Sequence, residues 1–196
     1  MTRRGQKGTT LVEVLVAIVV LGILSAAVMS VSASSIQMSD TSNKQFFAQR
    51  WAFNAYEQFK AAGFDLSGMA GLDRSSDTVT NGDQTLTLSR WKYQAADGSL
   101  YTICFDESDA VNYLDENGNT VNDPGALTEL VRYFDRAWNP VQEGGYYTLL
   151  CSVASQTDAD VTRTVFNVRV LDQAGEPLYS LPQTVSETAR SGEVSP

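Results

Sequence analysis

From residue 11 to residue 31 the chain is almost wholly apolar, and residues 14–24 carry no polar side chain at all. A run of about 20 such residues is long enough, as a helix, to cross the hydrocarbon core of a bilayer. Residues 11–31 are therefore expected to lie in membrane lipid, with only Ser25 and Ser30 interrupting the later part. Arg3, Arg4 and Lys7 precede the run, and the next basic residue is Lys44. That asymmetry predicts a cytoplasmic N-terminus and a C-terminal bulk outside.

Three kinds of segment share this pattern. A cleaved signal peptide needs a basic start, an apolar middle and a small-residue cut site, and Val31 and Ala33 before Ser34 supply one. A plain signal anchor looks the same without cleavage. Neither accounts for Glu13, because a carboxylate this close to an apolar run costs several kcal/mol unless it is paired or exposed.

A third kind accounts for it. Residues 3–13, Arg-Arg-Gly-Gln-Lys-Gly-Thr-Thr-Leu-Val-Glu, resemble the processing site of type IV prepilins and type II secretion pseudopilins. The resemblance implies cleavage after Gly8 by a prepilin peptidase, N-methylation of the new first residue Thr9, and an assembly role for Glu13, fifth in the mature chain. A cut there leaves an α-ammonium on Thr9, which a carboxylate on a neighbouring subunit can pair with as helices slide together, giving each charge a partner that lipid does not supply. Two positions depart from the family pattern: Thr9 stands where major pilins usually carry an aromatic residue, and Ser30 stands where a kinking proline is frequent. Both lean toward a minor pilin or pseudopilin. The partners implied are the peptidase, other pilin or pseudopilin subunits and membrane lipid along residues 11–31, with no cofactor.

Composition narrows the function classes further. There is no histidine among the 196 residues, which removes Ser-His-Asp and Cys-His catalysis and every histidine-containing zinc site. A formal net charge of −9 argues against nucleic acid, since phosphate binding needs a basic surface. Apolar content of 43% with 19% charged residues predicts that most of the chain folds.

Beyond the apolar run, residues 32–45 contain neither Gly nor Pro, so the helix is expected to continue. Phe46, Phe53, Tyr56 and Phe59 recur near helical spacing and predict a stripe that packs on the following domain rather than a binding groove. Gly63 offers a C-terminal stop. The domain reading is a leader at 1–8, a helix at 9–62, an exported β-rich domain at 63–185 and a loose tail from Ser186. Within that domain, 63–83 reads as a loop. Strands follow at 85–93, 100–105, 111–114, 146–153, 162–171 and 178–181, while 127–138 fits helix or strand. The fold class is α+β: a long N-terminal helix on a mainly antiparallel sheet, which agrees with the pilin-like resemblance.

Few residues suggest a site in that domain. Residues 115–119, Asp-Glu-Asn-Gly-Asn, with Asn122 and Asp123, offer oxygen ligands, and some pseudopilins bind calcium near their C-terminal sheet. The EF-hand pattern fails, because Thr120 and Ala126 stand where its glycine and bidentate glutamate belong, so a polar hairpin turn is the expected role and no metal is assigned. Cys104 and Cys151 each fall in a predicted strand. In an exported domain they read equally as one disulfide or as two buried thiols. Asp106, Glu107 and Asp109 read as a solvated loop, and no residue is assigned as catalytic. The functional reading is a structural filament subunit of a pilus, secretion or DNA-uptake machine. A membrane-anchored or secreted adhesin-like domain is the alternative, and an exported hydrolase is weakest because no nucleophile has a recognisable base.

Overall fold

This computed structural model describes residues 10–121, 124–158 and 161–189. The chain divides into two units, residues 1–44 and residues 45–196. Helix α1 (Leu11–Ala61) contributes to both. Its first unit is an exposed apolar helix. It is rich in Val and Ile, which are mediocre helix formers in water, but helix is the conformation that satisfies every backbone group inside lipid. Ser25 and Ser35 donate their hydroxyls to the carbonyls of Leu21 and Val31 at 2.8 and 2.9 Å, so neither adds an unmet polar group to the helix surface.

The second unit begins with the rest of α1. Gly63, at φ +71°, donates to the Lys60 carbonyl, and Phe64 donates to that of Phe59. This pair of bonds is a Schellman stop, and the Phe59 and Phe64 rings meet edge to face at 5.8 Å across it. A short helix α2 (Leu66–Leu72) follows, capped by Asp65, whose carboxylate accepts from Gly68 N at 2.7 Å. Residues 63–83 are thus not the loop that their glycines predict. Leu66, Met69 and Ala70 bury one face of α2, and β1 (Arg74–Asn81) hairpins into β2 (Gln84–Gln94) through Gly82 at φ +61°.

The remaining strands are β3 (Leu100–Phe105), β4 (Val111–Leu114), β5 (Thr120–Val121), β6 (Glu129–Phe134), β7 (Pro140–Val141), β8 (Tyr147–Asp158), β9 (Val161–Leu171) and β10 (Pro177–Ala189). They form one antiparallel sheet in the order β10-β9-β8-β6-β2-β3-β4-β5, with β1 on β2 and β7 on β6. The ambiguous segment 127–138 resolves as strand because β6 sits centrally between β2 and β8. The predicted start of the tail at Ser186 is corrected. Residues 186–189 still pair with β9, since backbone ladder bonds hold a strand whatever its side chains offer. Residues 190–196 lie outside the described chain.

The helical stripe is rotated from the expected one. Ala48, Ala52, Ala55 and Phe59 face the sheet, while Phe46 and Phe53 are 61% and 45% exposed. The offsets 4, 3 and 4 keep one face of a helix, and the small alanines let the α1 backbone lie close to the sheet. The large rings that fill the layer come mostly from the flanks and the sheet. Phe59 stacks on Phe166 with centroids 4.0 Å apart, and Trp51 lies 4.5 Å from Phe134. The arrangement is α+β, a helix packed on an antiparallel sheet.

One charged pair sits in this layer. Arg132 of β6 is buried and ion-paired with Asp73, and its guanidinium carbon lies 5.4–5.6 Å from the ring centres of Trp51, Trp91 and Phe134. Burial pulls its pKa down, and the Asp73 carboxylate opposes that pull. The pair ties the start of β1 to the sheet's inner face.

Candidate functional site

In the first unit, helix α1 opens with Thr10. The Glu13 amide donates to the Thr10 carbonyl at 2.9 Å and lies 3.4 Å from its hydroxyl oxygen. Thr10 and Glu13 stand three residues apart at the start of the helix, the spacing of a capping-box sequence. Glu13 is exposed in the first turn, where the helix dipole favours a negative charge. The carboxylate thus has a local reason to stand there besides any pairing between chains, a signal that the T-x-x-E spacing carries in the sequence.

From Val14 to Val31 the helix presents an apolar surface interrupted only by Ser25 and Ser30. Leu15, Ile18, Leu21, Ile23, Leu24 and Met29 are each more than half exposed. Monomeric soluble proteins rarely expose contiguous patches of this kind, and the helix is long and apolar enough to cross a membrane. Of the small residues Ala17, Gly22, Ala26 and Ala27, only Gly22 and Ala26 share a face, four residues apart. A Cβ built on Gly22 meets nothing within 4 Å. Gly8 and Thr9 lie outside the described residues.

Residues 3–29 match the family model for the prokaryotic N-terminal methylation motif. The chain carries a type IV prepilin-like signal. Neither a curated protein nor a solved structure matches the chain. The prepilin-like signal and the apolar helix fit a membrane-anchored protein with its C-terminal domain outside, and the motif implies processing by prepilin peptidase and assembly with other pilins.

Other sequence candidates receive local roles. Asp115 bonds within its own turn. Its Oδ1 accepts from the amides of Asn117 and Asn119 at 2.9 and 2.8 Å, inside a hairpin turn. The same turn recurs three times. Asp106 accepts from Ser108 and Ala110, Asp135 from Ala137 and Asn139, and Asp172 from Ala174 and Glu176. In each, the fourth residue has positive φ: Asp109, Gly118, Trp138 and Gly175. Asp106 and its neighbours therefore form a turn as expected, while Asn122 and Asp123 lie outside the described residues.

The disulfide alternative is corrected. Cys104 and Cys151 are free and buried. Strands β2 and β6 stand between β3 and β8, which separates the two backbones by about 14 Å at the usual strand spacing, far beyond disulfide reach. They also face opposite ways, Cys151 into the layer under α1 and Cys104 into a small cluster with Leu86 and Leu114. Burial raises both thiol pKa values, that of Cys104 to about 11.

What the sequence reading missed lies on the flank of α1. Phe47, Arg50, Trp51 and Asn54 face Ala137 and Trp138 of the β6–β7 turn across an open groove of about 510 Å³. Trp138 occupies the left-handed position at φ +66°, yet its ring stacks on Tyr147 at 3.9 Å and on Phe47 at 5.9 Å.

Proposed function

We propose that this chain is a minor pilin or pseudopilin, a structural and non-enzymatic subunit of a type IV pilus, secretion or DNA-uptake filament. The observation that carries the proposal is the exposed apolar helix with Glu13 in its first turn, five residues beyond Gly8 and inside the prepilin-like signal. In this reading the chain inserts with its N-terminus in the cytoplasm and residues 11–31 in lipid. The peptidase then cuts after Gly8, and Thr9 becomes a methylated N-terminus.

Extraction into the filament exchanges lipid around the helix for neighbouring helices. Gly22 and Ala26 supply a small face for close approach. Glu13 pairs with the Thr9 ammonium of a neighbouring subunit, which sets a fixed stagger between chains. Ser30 leaves the helix without a proline kink, and this favours a minor role over that of the bulk subunit.

Mass spectrometry of the mature N-terminus tests the proposal. Methylated Thr9 is the expected result. An N-terminus at Ser34 would indicate a secreted domain, and an intact Met1 a plain anchor; either outcome overturns it. Glu13→Ala should leave membrane insertion and cleavage intact and reduce filament incorporation at least several-fold. Incorporation at the normal level would remove the pairing mechanism.

A further inference from the structure

The outward face of α1 in the second unit is built differently from the face that meets the sheet. Phe46, Arg50 and Phe53 follow one another at offsets of 4 and 3, so they share one side of the helix. All three are exposed. Among the described residues the Arg50 side chain has no hydrogen bond or ion pair, as is true of Arg90 and Arg136, whereas Lys44, Lys60, Arg74, Lys92 and Arg132 each pair with a carboxylate. Arg50 also forms one lip of the 510 Å³ groove, with Asn54 beside it and Trp138 opposite. What sets Arg50 apart is its frame: two exposed phenylalanines flank it on the same helix side, in a chain of net charge −9.

We infer that this face docks an acidic amphipathic helix of a neighbouring filament subunit, which sets a carboxylate on Arg50 between apolar contacts to Phe46 and Phe53. Charge complementarity selects the carboxylate, because a guanidinium offers a planar, two-pronged donor that matches it. The spacing of seven residues between the phenylalanines matches the two-turn repeat of a helix laid alongside. Trp138 closes the far side of the groove, held there by its stack on Tyr147. The inference rests on the filament reading, since that supplies the neighbour, and it goes beyond the N-terminal assembly signal to a second contact in the exported domain.

The test uses the full chain in the membranes of cells that assemble the filament, with photocrosslinking p-benzoylphenylalanine in place of Asn54. The expected adduct joins a processed subunit through a helical segment bearing Asp or Glu. Arg50→Glu should cut its yield at least five-fold, Arg50→Lys should retain most of it, and reversing the charge of the mapped carboxylate should restore it in the Arg50→Glu chain. An adduct insensitive to Arg50→Glu, an adduct on a segment without an acidic residue, or no protein adduct overturns the inference. An unchanged melting temperature in Arg50→Glu confirms that the fold is intact. A methylated Thr9 with no adduct leaves the filament reading standing and removes this one alone.

Discussion

Trp138 is the residue whose position is hardest to reconcile with local preference. A left-handed backbone costs a non-glycine residue about 1–2 kcal/mol, and two of the three sister turns place glycine there. The ring offsets that cost by stacking on Tyr147 and Phe47. Trp138→Ala should destabilise the domain by about 3 kcal/mol or more, since it loses the ring and keeps the strain. Trp138→Gly should be milder by about 1 kcal/mol; denaturant titration of the two variants checks the ranking. The turn aspartates make a second residue-scale prediction. Hydrogen bonds to turn groups, led by Ser108 for Asp106 and by Asn119 and Asn139 for the other two, hold Asp106, Asp115 and Asp135 below the ordinary carboxylate value. Their contribution to stability is present above the unfolded carboxylate pKa, about 3.9, and is lost as pH falls through the lower folded values. Carboxyl NMR titration should place all three below that reference, and Asp135→Asn should flatten the acid limb of the stability curve.

At the scale of elements, β1, β6 and α1 meet at the Asp73–Arg132 pair. Removing one partner of a buried pair leaves an uncompensated charge, so Asp73→Ala should cost about 3 kcal/mol. The double replacement Asp73→Asn with Arg132→Met removes both charges and keeps the apolar contact with Trp51, Trp91 and Phe134, and it should stay within about 1 kcal/mol of the parent. Comparable losses in both variants, by denaturation followed through tryptophan fluorescence, would show that the guanidinium contributes more than charge balance. The α1 face was only partly legible beforehand. Its aromatic residues drew the expected stripe, but the sheet selected the alanine face because aromatic rings from β6, β8 and β9 already fill the layer. Helix α2 was hidden by Gly68 and Gly71, although the Asp65 cap and the spacing of Leu66, Met69 and Ala70 were there to be read.

At the scale of the whole chain, two buried thiols on opposite sheet faces mean that stability owes nothing to oxidation. Ellman's reagent should find both cysteines unreactive in the folded chain at pH 8 and both reactive in guanidinium chloride. The melting temperature should be the same with and without reductant. A reductant-sensitive transition would contradict the strand order that separates Cys104 from Cys151.

The apolar helix, the methylation motif, the position of Glu13 and most strand locations can be read directly from short stretches of residues. These are local properties, because they follow from lipid-length hydrophobicity, cap spacing and period-2 alternation along a few residues. Tertiary structure alone decided the strand order, the rotation of α1, the fate of the cysteines and the Arg132 pair. Each depends on which distant side chains already occupy the shared layer, and one chain's periodicity does not encode that. The groove beside Arg50 belongs to the same class: its two walls lie more than 80 residues apart in the chain and meet only once β6 is set beneath the helix.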